Sequence, residues 1–266
     1  MRNKFYIAVD CEGVACAVGY PLEGIKKDFH YEFIRQQATL EANAAATALF
    51  DMGAEEVLVW DNHSTGINLD YNLLDERCKI VLGSGHKKRF PKIDQTFAGV
   101  LFIGYHSHAN TQDGVLSHTY STVAYQSYQV NGIDVGEMQL DAAFAGEHQV
   151  PVIFASSDDK AIEQAKESFP WIKTVVTKQS LSWNSAISLH PKEACRQIYS
   201  EVKEAYSSLD QMKPYTFETP IQISLRYLRK DDAAVAPLFD CNGEPFIFKD
   251  PFTRKGIVKD IYHVKL

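Results

Sequence analysis

Phe5-Tyr6-Ile7-Ala8-Val9-Asp10-Cys11-Glu12-Gly13 decides the fold. Five apolar or aromatic residues follow one another without alternation, the pattern of a strand buried on both faces at the centre of a parallel sheet. The run stops in Asp-x-Glu-Gly. Side chains two residues apart share one side of an extended chain, so Asp10 and Glu12 are expected together at the strand's end. Two carboxylates at the mouth of an apolar sheet repel unless a positive charge sits between them, and a metal ion is the simplest such charge. The bland alternative is a capping aspartate beside an exposed glutamate.

Outward from this strand the same grammar repeats. Tyr31 to Met52 carries Ile34, Ala38, Ala42, Ala45, Ala46 and Leu49 on one broad helical face, with Gly53 where a helix C-terminus favours glycine. Glu56 to Asp61 reads as a second buried strand ending in Asp61-Asn62-His63-Ser64, Lys79 to Leu82 as a short edge strand, and Ala98 to Tyr105 as a third buried strand ending at His106. Strand–helix–strand order with short turns predicts parallel strands joined by right-handed crossovers, with ligands at their carboxyl ends. Asp10, Glu12, His63 and His106 all fall there.

The texture changes near Thr119. Asn131-Gly132 between Val123–Val130 and Ile133–Val135 predicts a hairpin, after which Gly136-Glu137 opens a helix to about Glu147. Pro151 to Ala155 and Trp171 to Thr177 read as strands, separated by a helix that Ser157 or Asp158 caps and that runs to Phe169. His190-Pro191 opens a helix to about Leu209, and Pro220 to Leu228 reads as a strand. The expected fold is α/β: a mainly parallel sheet flanked by helices, with a smaller β-containing second portion. No repeat or low-complexity linker divides the chain. We therefore expect one metallohydrolase domain over residues 1–266, with a hairpin portion near 119–136 and a divergent portion near 215–266.

The chain has 266 residues, 45% hydrophobic and 23% charged, with 27 basic against 34 acidic side chains and a net charge of −7. That charge argues against nucleic acid or anionic lipid as a general partner. No apolar run approaches the roughly 20 residues of a membrane helix. Met-Arg-Asn-Lys runs straight into the strand, so no signal peptide is expected. Cys11, Cys16, Cys78, Cys195 and Cys241 are scattered and form no C-x-x-C pair, so a reduced, cytoplasmic setting is expected.

Asp10, Glu12, His63, His106 and Glu137 are the candidate metal ligands. Two imidazoles and three carboxylates suit zinc, manganese or iron rather than a soft thiolate site. Five protein ligands exceed what one tetrahedral zinc takes, but they suit two metals sharing a bridging carboxylate and a bridging hydroxide. Taken singly, His63 reads equally as a turn cap, His106 as a buried hydrogen-bonded histidine, and Glu137 as a complement to a helix N-terminus.

Val9-Asp10-Cys11-Glu12-Gly13, Asp61-Asn62-His63-Ser64, Gly104-Tyr105-His106, Gly114-Val115-Leu116-Ser117-His118 and Val135-Gly136-Glu137 together resemble the zinc-dependent D-aminopeptidase family of bacterial dipeptide operons, in order and at similar spacing over roughly residues 4–190. The resemblance implies two zinc ions per subunit, while the donor set alone leaves Mn2+ or Fe2+ open. It implies Asp10 as the bridging ligand, Glu12 and His106 on one ion, and His63 and Glu137 on the other. His118 is implied as the catalytic residue, and the assembly as a large ring-shaped homo-oligomer enclosing the active sites. The chain departs from the family pattern at Cys11, at Ala15-Cys16-Ala17, at His108 and beyond about Tyr215.

The expected activity is that of a dinuclear metal-dependent aminopeptidase hydrolysing short peptides, including those with N-terminal D-amino acids, by a metal-bridging hydroxide assisted by His118. The alternatives are a metal-dependent amidase or esterase acting on another small molecule, and a non-catalytic metal-binding assembly protein. His108 and Lys178 are candidate substrate contacts, Lys178 through a peptide carboxylate, with a solvated surface lysine as its bland alternative. Cys11 is expected in the core, and Asp158-Asp159 as a helix cap.

Overall fold

A computed structural model of the chain describes residues 3–264 apart from 22 and 26–28. In chain order its regular elements are β1 (Lys4–Val9), α1 (Phe29–Asp51), β2 (Glu56–Asp61), β3 (Lys79–Val81), β4 (Phe97–Ile103), β5 (Tyr125–Val130), β6 (Ile133–Asp134) and α2 (Glu137–Glu147). They continue with β7 (Val152–Asp158), α3 (Asp159–Ser168), β8 (Lys173–Ser182), β9 (Ser185–Ser188), α4 (Pro191–Ser207), β10 (Ile221–Tyr227), α5 (Lys230–Val235), β11 (Ile247–Asp250) and β12 (Thr253–Val258).

β1 lies inside a sheet of order β3-β2-β1-β4-β7-β8-β9. Every pairing is parallel except β8 with β9, which is antiparallel. The unbroken apolar run of β1 follows from burial on both faces. Phe5, Ile7 and Val9 pack with Ile34, Ala38, Leu49, Ile198 and Val202 of α1 and α4. Tyr6 and Ala8 face the other way, into a cluster with Trp60, Leu140 of α2 and Ile162 of α3. That second cluster also takes in Tyr128, Ile223, Leu225 and Val258 of a separate antiparallel sheet, β11-β12-β10-β5-β6, so the two sheets share one core. The α/β class with a smaller β portion is the observed architecture.

Local chemistry sets the element ends. Gly53 follows α1 at φ 96°, and Asn131 and Gly132 take φ 51° and 84°, the left-handed pair of a tight hairpin turn. The Asp158 side chain caps α3 by accepting from Lys160 N and Ala161 N, and His190 caps α4 by accepting from Lys192 N.

Three boundaries differ from expectation. β7 runs on through Ser157 to Asp158, and β8 extends to Ser182, because its second half gains a partner in β9 that the polar Ser185–Ser188 segment does not advertise. The region after Tyr215 supplies β10, α5, β11 and β12, and β10 pairs with both β5 and β12. The third difference concerns the opening stretch. β1 ends at Val9, so Asp10 and Glu12 sit in a turn beyond the strand rather than alternating along it.

That turn crosses the end of β4 at very close range. Asp10 N donates to Ile103 O at 2.8 Å and Gly13 N to Gly104 O at 2.7 Å. A Cβ on Gly13 would lie 2.0 Å from the Tyr105 carbonyl oxygen, and one on Gly104 (φ 71°) would lie 2.2 Å from Asp10 O. Only glycine fits either position. Strand order reverses direction between β1 and β4, the switch point at which doubly wound sheets bind ligands.

Candidate metal centre

All six predicted residues meet at this switch point. Asp10 and Glu12 come from the turn after β1, His63 from the loop after β2, His106 from the end of β4, His118 from the following loop, and Glu137 from the first position of α2. His63 Nδ1 lies 2.8 Å from Asp10 Oδ1 and 3.3 Å from Glu12 Oε2. His106 Nε2 lies 3.2 Å from Glu137 Oε1 and 3.6 Å from Asp10 Oδ2. His118 Nε2 lies 3.9 Å from Glu137 Oε1, and its ring stacks on that of His106 with centroids 3.8 Å apart. The donors form two triads, Asp10–Glu12–His63 and His106–His118–Glu137, whose ligand atoms lie within 4.8 Å of one another. Asp10, with one oxygen towards each triad, joins them.

The loops that deliver these groups are held by buried polar contacts. The Asp61 carboxylate accepts from Leu69 N at 2.9 Å and from Asn68 Nδ2 at 2.7 Å, and Asn68 in turn donates to His63 O. Asp61, not His63, therefore does the capping work of this loop, which leaves His63 to face the carboxylates. His118 N donates to Ser107 O and Leu116 N to Trp183 O, tying the His118 loop to β4 and to the β8–β9 turn. Glu137 Oε1 also accepts from Tyr120 N at 2.8 Å.

Three further residues clamp the turn after β1. Thr177 Oγ1 donates to Gly13 O at 2.6 Å, and Lys178 Nζ donates to Glu12 O and, at 2.8 Å, to Val14 O. The Glu41 carboxylate accepts from Ala15 N at 2.9 Å. Lys178 is only 1% exposed and spends its donors on backbone carbonyls, so it is neither a surface lysine nor a ligand for a peptide carboxylate. The strand it sits in continues past Thr177, and this continuation turns its side chain inward. Glu41 was legible only as an acid beside the alanine stripe of α1.

The buried carboxylates of the centre require positive charge beside them. Asp10, Glu12 and Glu137 are 4%, 5% and 7% exposed, far too buried for three unpaired carboxylates. Burial, with Glu12 beside it, pushes the Asp10 carboxyl above its usual range. Burial also opposes ionisation of Glu12 and Glu137, but the histidines outweigh it and hold both carboxyls below their usual range. His63 is carried well above the ordinary imidazole value, because Glu12, Cys11 and Asp10 overcome its desolvation. His106 rises to about 10 against desolvation, chiefly through Glu137. His63 and His106 thus favour holding protons beside the carboxylates, protons that a bound metal ion would displace. His118 moves the other way: burial and the neighbouring His106 charge lower its pKa against the pull of Glu12 and Glu137.

The donor set fits divalent metal. His106 Nε2 is buried without a hydrogen bond of acceptable geometry. His106 Nδ1 lies 3.1 Å from Ser107 O and His118 Nδ1 lies 2.7 Å from Leu116 O. A carbonyl only accepts, so each Nδ1 donates and each Nε2 is the atom that faces the centre, the orientation of metal-ligating histidine; His106 would give up its Nε2 proton on binding a metal ion.

The centre opens into a cavity of about 430 Å³, lined also by Asn62, Ser64, Arg89, Tyr120, Ser121 and Thr122. His108 is not among the lining residues; its Nδ1 meets Thr111 Oγ1 at 3.2 Å.

The sequence pattern of the D-aminopeptidase family matches residues 3–242. The chain belongs to the D-aminopeptidase family. The D-aminopeptidase of Bacillus subtilis (strain 168) is 35% identical over 220 residues, 80% of this chain and 77% of that protein. The solved structure described as Zn-dependent D-aminopeptidase DppA from Bacillus subtilis, a self-compartmentalizing protease, aligns with a TM-score of 0.88 at 30% identity, covering 98% of this chain and 93% of that one. The chain is accordingly a peptidase. Family membership also bears on the turn after β1 and the loops after β2 and β4, which lie within the matched span.

Proposed function

We propose that this peptidase is a dinuclear zinc aminopeptidase that releases N-terminal D-amino acids from short peptides. One observation carries the reading: three buried carboxylates and three imidazoles converge as two joined triads at the floor of an open cavity. The zinc dependence of the structural neighbour supports the choice of metal.

Asp10, Glu12, His63, His106 and Glu137 would hold the ions, with Asp10 shared between them. Bound there, the ions supply Lewis acidity towards a carbonyl and lower the pKa of water. The chain's own residues do the rest. The carboxylates neutralise the site and fix its donors, while the cavity walls orient the peptide. His118, kept neutral and with its lone pair at Nε2, takes a proton from the attacking water and returns it to the departing amine. A second reading makes His118 a ligand, since it completes the triad with His106 and Glu137. Metal content of a His118→Ala variant separates the two.

The self-compartmentalizing neighbour supports a closed homo-oligomer, and Ile247, Phe248 and Ile257 leave apolar surface exposed on the second sheet. The five unpaired cysteines fit a reducing, cytoplasmic setting. Among the described residues no helix is long and apolar enough to cross a membrane.

The test is release of free amino acid from a panel of D- and L-dipeptides. D-dipeptide hydrolysis that stops with chelator and returns with zinc is the expected result. Selective cleavage of amides or esters that are not peptides would move the reading to an amidase or esterase. Inertness of the zinc-loaded protein towards every substrate would leave a non-catalytic metal protein.

A further inference from the structure

Arg89, in the loop between β3 and β4, is the only lysine or arginine among the described residues lining the cavity. Its surroundings hold it in one place. Nε and Nη2 meet the two oxygens of Asp141 at 2.9 and 2.5 Å, and Asp141 is fully buried. The guanidinium lies 4.6 Å from the Trp60 ring centroid and 5.4 Å from that of Tyr120. Tyr105 OH donates to the same carboxylate at 2.7 Å, and Asn62, another lining residue, donates to Tyr105 OH at 2.9 Å.

Arginine has five N–H groups. Asp141 engages the Nε and Nη2 edge, and among the described residues no hydrogen bond reaches Nη1. A pair serving packing alone gains little over apolar side chains of equal size, because two charges must be desolvated. Here the cation keeps donors unused and borders a cavity whose other charged lining groups include Asp10, Glu12 and Glu137.

We propose that Arg89 receives the C-terminal carboxylate of the peptide and so makes the enzyme select very short substrates. The proposal rests on the aminopeptidase reading above. Asp141 and Glu137 lie four residues apart on α2, on one face and about 6 Å apart along the axis. In a dipeptide the terminal carboxylate stands one residue beyond the scissile carbonyl, roughly 3.3–3.6 Å of chain. A carbonyl placed beside Glu137, with the peptide running along α2 towards Asp141, directs that carboxylate to the side of the cavity that Arg89 lines. The cation's fixed planar fork, already oriented by Asp141, suits a carboxylate better than a mobile lysine.

The test compares D-alanyl-D-alanine with its C-terminal amide, in the native protein and in an Arg89→Gln/Asp141→Asn double variant. Removing both partners leaves no buried charge unpaired and so protects folding. Two readouts are taken: the acid-to-amide ratio of kcat/KM, and the ratio of Kd for the same pair carrying a reduced, uncleavable CH2–NH bond. The native ratios are expected to favour the free acid about tenfold or more, and the variant ratios to fall near one. Native ratios near one, or ratios that survive in the double variant, overturn the proposal. If zinc-loaded protein cleaves neither compound while the uncleavable pair shows the Arg89-dependent ratio, carboxylate recognition stands and the aminopeptidase reading falls.

Discussion

His118 is the residue whose chemistry the geometry defines most closely. Its Nδ1 is committed to Leu116 O, and burial first of all lowers its pKa from the ordinary imidazole value, which favours the neutral ring. A neutral imidazole with a directed lone pair is a proton acceptor, and losing it is expected to cost about 10²–10⁴-fold in turnover. His118→Ala should show that loss while elemental analysis finds the metal content unchanged; loss of metal would make it a ligand instead. Glu41 gives a second residue-level prediction. Its carboxyl is raised to about 7 by burial, against the donors Gln37 and Ala15. A folded value above the unfolded one means that stability is full below about 4.5 and falls as pH rises through 7. Relative to wild type, Glu41→Gln should therefore gain on the order of 3 kcal/mol between pH 4.5 and pH 8, measured by denaturant unfolding of metal-free protein. A constant difference across that range would mean that Glu41 does not ionise within it.

At the scale of elements, the turn after β1 depends on β8. Lys178 and Thr177 satisfy the carbonyls of Glu12, Gly13 and Val14, and a buried carbonyl left without a donor costs about 1–3 kcal/mol. Lys178→Met strips two of them, so thermal unfolding should show a loss of roughly 2–5 kcal/mol and zinc affinity should drop with it. Unchanged zinc affinity would show that the turn keeps its shape without this clamp. The sequence displayed the strand ends and the acids and imidazoles on them, because parallel-strand burial writes itself as an uninterrupted apolar run in β1, β2 and β4. It placed Asp10 and Glu12 together, although a turn rather than strand alternation achieves it. The clamping roles of Lys178, which reads from sequence as a substrate contact, and of Glu41 stayed hidden because each lies in a regular element whose local pattern allows a solvent-facing side chain; their partners lie 164 and 26 residues away. β9 was missed for a similar reason, since an antiparallel edge strand of serine, alanine and isoleucine needs no continuous apolar run.

For the molecule as a whole, the two sheets share one core while the centre sits where β1 and β4 diverge. With that core the fold is expected to form without the metal, while it concentrates buried carboxylates that a metal would neutralise. Chelation should abolish peptide hydrolysis and lower Tm without loss of the folded state. The stabilisation returned by zinc should grow with its concentration as binding to the native state requires. Light scattering should find a closed homo-oligomer; a monomer at assay concentration would remove the enclosed-site part of the account. The most direct test is anomalous diffraction at the zinc edge from zinc-loaded crystals. Two peaks about 3.5–4 Å apart, within bonding distance of Asp10, Glu12, His63, His106 and Glu137 and with Asp10 between them, are the predicted result. A single peak, or peaks away from these side chains, would contradict it.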